Sequence, residues 1–157
     1  MQGIAYKKGY KYQLSRDYSL QIGLNPEQPI NTRYITLSTE GELLIKAGYA
    51  WDGPSGPTLD TQNFMRGSLV HDALYQLMRE QLLPPNCKED ADRLLQQQCL
   101  EDGMSRLRAW WVYRAVHYFG KSSTDPANKR PTLYAPESYQ RQMTEEGNQS
   151  PETEAES

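Results

Sequence analysis

A chain of 157 residues with 37% hydrophobic residues and a formal net charge of −3 is long enough for about one domain with its own core. No apolar stretch approaches the ~20 residues of a membrane-spanning helix, and no Lys/Arg run with interleaved aromatics marks a nucleic-acid partner. Cys87 and Cys99, without paired histidine spacing, exclude a four-ligand cysteine metal site and favour a reduced, intracellular setting.

The first twelve residues mix Lys, Gly and Tyr around no apolar core, so no secretory signal is read there. Residues 4–50 read as short strands. Tyr10 to Leu14, Tyr18 to Ile22, Tyr34 to Leu37 and Leu43 to Ala47 are rich in aromatic and aliphatic side chains, with breaks at Asn25-Pro26 and Thr39-Glu40-Gly41. The clearest hairpin runs from Tyr34 to Ala47 across Ser38 to Gly41, without a definite register. Eleven Tyr and three Trp against two Phe suit a core built on amphipathic aromatics.

Trp51-Asp52-Gly53-Pro54-Ser55-Gly56-Pro57 breaks all periodicity and reads as a shaped loop, because glycines permit positive φ and prolines fix φ and remove donors. Asp60 or Thr61 caps the next element. Phe64, His71, Tyr75 and Met78 then keep helical spacing to about Leu82, where Pro84-Pro85 ends the helix. A second helix is predicted from near Asn86 to Gly103, antiparallel to the first because the turn is so short. A third spans Ser105 to Phe119, with Leu107, Trp110, Trp111, Ala115, Val116 and Phe119 as its core face. His117, without a carboxylate one turn away, reads as packing or surface.

The expected architecture is a single α+β domain over residues 1–120, mainly β to residue 50, a loop over 51–60 and helical over 61–120. Residues 121–136 form a loosely attached arm in which Leu133-Tyr134 is a docking point. The last 21 residues hold six Glu and one Arg and read as a disordered acidic tail, having too little apolar surface to offset ordering entropy.

The chemistry gathers at His71-Asp72-Ala73-Leu74-Tyr75. In a helix His71 and Tyr75 share a face and Asp72 projects about 100° round. Asp92, early in the partner helix, can reach across to His71. A carboxylate on one imidazole nitrogen fixes the tautomer and makes the other a better base toward water. The rival reading is a buried hydrogen-bond network that fixes the helix hairpin and does no chemistry.

His71-Asp72-x-x-Tyr75, followed by Ala91-Asp92 and Leu94-Leu95 and preceded by Trp51-x-Gly53-Pro54-Ser55-Gly56, resembles the active-site unit of phospholipases A2. It is most similar to the cysteine-poor version in parvovirus capsid proteins, over roughly residues 49–100. That resemblance implies His71 as general base, Asp92 as its orienting group, Tyr75 as the group holding Asp92, and the Gly53 N–H as an oxyanion donor. It further implies a Ca2+ ion on Asp72 and the backbone oxygens of Trp51, Gly53 and Ser55. Ser55 stands where that family usually has glycine, and Trp51 where it usually has Tyr.

A longer resemblance, over about residues 30–120, is to an uncharacterised family of tailed bacteriophages and prophages that shares Trp51-Asp52-Gly53-x-Ser55-x-Pro57, His71-Asp72-x-x-Tyr75 and Ala91-Asp92. It implies a phage source, synthesis in a host cytoplasm, and association with the virion as one destination. Two functions follow as expectations. One is a calcium-dependent hydrolase acting on phospholipid or another ester at a membrane surface. The other is a non-enzymatic virion, assembly or host-interaction protein that binds a phage or host partner.

Overall fold

A computed structural model of the chain describes residues 3–8, 12–51 and 62–119. Among the described residues seven short strands come first: β1 (Tyr6–Lys8), β2 (Tyr12–Leu14), β3 (Tyr18–Gln21), β4 (Ile30–Asn31), β5 (Ile35–Leu37), β6 (Glu42–Ile45) and β7 (Ala50–Trp51). They form two antiparallel sheets, one in the order β1-β2-β7 and one in the order β3-β6-β5-β4. Three helices follow, α1 (Gln62–Arg79), α2 (Lys88–Glu101) and α3 (Arg106–Phe119), with a single 3-10 turn over Pro85–Cys87 before α2. The architecture is α+β.

Period-two burial explains the larger sheet. In β3, Tyr18 and Leu20 are buried while Ser19 and Gln21 are exposed, and Ile35, Leu37, Leu43 and Ile45 turn inward from β5 and β6. The β5-β6 register sets Ile35 opposite Ile45 and Leu37 opposite Leu43, so apolar side chains meet across the strands on one face. Gly41 closes this hairpin at φ +85°, and a Cβ there would lie 2.5 Å from the Ile22 carbonyl oxygen, so the turn requires glycine.

Helix α1 is the centre of the molecule. Leu69, Ala73, Leu74 and Leu77 have no exposed surface and join the sheet residues in the main core, while Phe64 belongs to a second cluster with Leu95, Cys99, Met104, Ala109 and Val112. A helix buried on opposite sides must have partners on both. The strands cover one side and α2 the other, and α3 packs on α2. At the far end Arg66 ties three elements together, donating to Asp102 and Glu101 beyond and within α2 and to the Tyr18 hydroxyl of β3. Burial works against the Arg66 charge, but these acceptors outweigh it and raise its pKa further.

Several expectations change. Strands β4 and β7, of two residues each, carry no periodic signal and are not separated in the sequence, and neither is β1, which lies in the Lys-, Gly- and Tyr-rich start of the chain. Pro84-Pro85 does not end α1. The helix stops at Arg79 because Gln81 turns left-handed at φ 61°, while the Gln81 and Leu82 N–H groups donate back to the Met78 and Leu77 carbonyls. The apolar face of α3 differs from the expected one: Ala109 and Val112 are buried and Val116 packs against them as expected, while Leu107, Trp110, Trp111 and Ala115 are exposed. The expected cap at Asp60 or Thr61, the loop residues Asp52 to Pro57, the arm 121–136 and the acidic tail 137–157 lie outside the described residues. Among the described residues no helix is long and apolar enough to cross a membrane.

Candidate functional site

Two glycine-sized and alanine-sized positions bring α1 and α2 together. A Cβ on Gly67 would lie 2.8 Å from Leu95 Cδ1, so only glycine admits this approach without displacing Leu95. One turn on from Gly67 stands His71, and one turn before Leu95 stands Asp92, beside the fully buried Ala91. The close crossing therefore delivers the imidazole to the carboxylate.

Asp92 is wholly buried, and its donors come from two helices, His71 and Tyr75 one turn apart on α1 and Lys88 one turn before it on α2. Its Oδ1 lies 2.7 Å from His71 Nε2 and accepts a hydrogen bond from the Tyr75 hydroxyl, while its Oδ2 lies 2.7 Å from Lys88 Nζ. Burial alone would push the Asp92 carboxyl up. The bonds from His71, Lys88 and Tyr75 reverse this and hold it below the ordinary carboxylate range. The Tyr75 hydroxyl, buried and bonded to the carboxylate, has its pKa raised and remains a donor.

For His71, burial favours the neutral ring, yet Asp72 and Asp92 together outweigh it and its pKa is raised. Asp72, half-buried, places Oδ1 3.9 Å from His71 Nδ1, within ion-pair range but beyond hydrogen-bond reach. A carboxylate acceptor at Nε2 requires a proton there, so the neutral ring carries its lone pair on Nδ1, toward Asp72. The Tyr75 ring lies tilted against the imidazole with centroids 3.9 Å apart, which fixes the ring plane.

The structure thus gathers His71, Asp72, Tyr75 and Asp92. Trp51 is placed nearby by a different route: its indole is buried and donates to Ser68 Oγ, one turn before His71. Gly53 and Ser55 lie outside the described residues. Among the described residues no group of three or more His, Cys, Asp and Glu side chains is arranged to hold a metal ion.

Lys88 is the member that sequence reasoning missed. Besides Asp92 it donates to the carbonyl oxygens of Val116 and His117, at 3.2 and 3.1 Å, closing the C-terminal end of α3 with a positive charge. Its spacing from Asp92, one helical turn, was the available signal. The His117 ring stacks on Tyr113 at the exposed side of α3.

Residues 30–116 match the family model described as "Protein of unknown function (DUF1353)", a span that includes His71, Asp72, Tyr75, Lys88, Asp92 and the Val116 carbonyl. No curated protein and no solved structure matches the chain. The chain belongs to the DUF1353 family.

Proposed function

We propose that this protein is an ester hydrolase of the phospholipase A2 kind, with His71 as the base that activates water, and that it derives from a phage or prophage. The observation that carries the reading is the two-sided setting of one imidazole. Nε2 is fixed by a buried carboxylate at 2.7 Å, while Nδ1 carries the lone pair beside the half-buried Asp72. A base held in one tautomer, with its pKa raised by the two carboxylates, is suited to drawing a proton from water once the pH passes that raised pKa.

In this reading water loses a proton to His71 Nδ1 as its oxygen attacks the ester carbonyl carbon. The tetrahedral intermediate then collapses, the carbon–oxygen bond to the alcohol breaks, and the leaving oxygen takes the proton back from Nδ1. Asp92 stabilises the imidazolium formed in between without itself taking the proton, since its pKa is held down. Tyr75 and Lys88 hold Asp92 in place. The phospholipase resemblance assigns Ca2+ to Asp72 and the backbone oxygens of Trp51, Gly53 and Ser55, and an oxyanion contact to the Gly53 N–H. A bound calcium would supply Lewis-acid polarisation of the ester carbonyl and a counter-charge for a substrate phosphate.

The test is fatty-acid release from phospholipid vesicles with and without millimolar calcium (about 1 mM and above, the affinity range of weak oxygen sites). Release that needs calcium and is lost in Asp72→Asn is expected. No release by the wild-type protein would reject the proposal.

A second reading is supported by burial. His71 is 7% exposed and Asp92 is fully enclosed, as in a polar network that specifies a helix pairing. On this reading the protein is a phage virion, assembly or host-interaction component, and His71→Ala would alter stability while leaving its complex with the partner intact.

A further inference from the structure

Among the described residues, the outward face of α3 carries four of the large hydrophobic side chains left exposed. Leu107, Trp110, Trp111 and Tyr118 are 69%, 45%, 62% and 62% exposed. With Arg114 they fall within about 100° of helical arc, while Ala109 and Val112 face the molecule from the other side. Helix α3 carries Arg106, Arg108 and Arg114 and no acidic residue. Isolated exposed apolar residues need no explanation, but two tryptophans, a leucine and a tyrosine on one basic face do.

We infer that the Leu107, Trp110, Trp111, Arg114, Tyr118 face of α3 docks on the surface of an anionic lipid bilayer. Three observations favour this occupant. Trp and Tyr have apolar bodies with polar tips, the side chains that settle at the boundary between headgroups and acyl chains, and Leu107 extends the apolar strip. The positive charge without acid on the helix complements anionic headgroups. Arg114 lies over the rings of Trp110 and Tyr118, at 5.5 and 4.7 Å from their centroids, so its stem can reach headgroup phosphates while the aromatics enter the interface.

Other occupants fit less well. A second copy meeting this face by two-fold symmetry would set α3 arginines against one another with no acid on the helix to pair them. Single-stranded nucleic acid needs open ring faces for base stacking, and Arg114 already covers one face each of Trp110 and Tyr118. The lipid choice rests in part on the ester-hydrolase reading, but the readout below is binding. A protein that docks without hydrolysis and a hydrolase that docks elsewhere are therefore told apart.

The experiment is co-sedimentation of the full chain with phosphatidylglycerol-containing vesicles, and with pure phosphatidylcholine vesicles, in chelator so that no calcium-dependent turnover occurs. Binding to the anionic vesicles that weakens at high salt is expected. Leu107→Ser/Trp111→Ser should lower the affinity by roughly tenfold or more, and Arg106→Gln/Arg114→Gln should remove most of the salt dependence, with far-UV circular dichroism unchanged for both. No association with anionic vesicles overturns the inference, as does association that neither variant alters. Two further results also overturn it: a vesicle-free dimer in sedimentation analysis that Leu107→Ser/Trp111→Ser dissociates, or oligonucleotide binding lost in the same variant without vesicle binding.

Discussion

Lys88 Nζ lies 2.7 Å from Asp92 Oδ2 and at the same time bonds the last carbonyls of α3. One ammonium thus neutralises the carboxylate that orients His71 and anchors the neighbouring helix. Replacing it with the apolar Lys88→Met leaves Asp92 with only its His71 and Tyr75 donors and uncovers the Val116 and His117 oxygens. The expected loss of stability is about 2–3 kcal/mol in urea unfolding, below the range for a buried pair broken outright because two donors remain. The Asp92 pKa should rise, as followed by carboxyl NMR titration. An unchanged Asp92 pKa would show that Lys88 does not support the carboxylate.

The paired titrations predict where the fold is most stable. His71 has a raised folded pKa, so its contribution is fully present below the ordinary value of 6.5 and is lost as pH rises through the folded value. Asp92 has a lowered folded pKa, so its contribution is present above 3.8 and is lost as pH falls through the folded value. Stability from this pair is therefore greatest between those two ordinary values, in mild acid. A hydrolase using neutral His71 shows the opposite trend, with activity rising as pH passes the raised histidine pKa. Denaturation midpoints and rates measured across the same pH series should diverge, and a parallel rise of both with pH would contradict the pairing.

Gly67 sets the helix spacing. In Gly67→Ala the new Cβ meets Leu95 Cδ1 at 2.8 Å and Cys99 Sγ at 3.4 Å, so Leu95 must shift or the helices must part. A cost of about 1–3 kcal/mol is expected, although alanine is the better helix former. The informative readout is the His71 imidazole pKa by NMR, which should fall as the Asp92 bond lengthens. Stabilisation by alanine, with the histidine titration unmoved, would mean that the crossing is not constrained at Gly67.

Gln98 is buried in α2 with neither amide atom bonded. Such a group bears its full desolvation penalty. Gln98→Met, similar in length and apolar, should stabilise the protein by about 1–2 kcal/mol. Destabilisation in thermal unfolding would reveal a partner for the amide in solution.

Much of this arrangement was legible in the residues because helical spacing is a strong local signal. His71, Tyr75 and Asp92 announce themselves by a one-turn separation and a short inter-helix turn, and the unit from His71 to Tyr75 needs no tertiary information to put its two ends on one face. The sheets were harder. Strands of two residues such as Ile30–Asn31 and Ala50–Trp51 present no period, and their pairing with distant partners is set only by the folded chain. Arg66 carries no local signal of its role, since Glu101, Asp102 and Tyr18 lie more than thirty residues away from it in sequence. Among the described side chains of α3 only Val116 of the expected face packs inward, because large apolar residues ordinarily mark the buried side and here the smaller Ala109 and Val112 join it in place of Leu107, Trp110 and Trp111.

The most direct test compares fatty-acid release from calcium-containing phospholipid vesicles by the wild-type protein and by His71→Gln, with circular dichroism showing both folded. Loss of about 10²-fold or more in the variant is expected if His71 Nδ1 is the base. Equal release by the two proteins would contradict it.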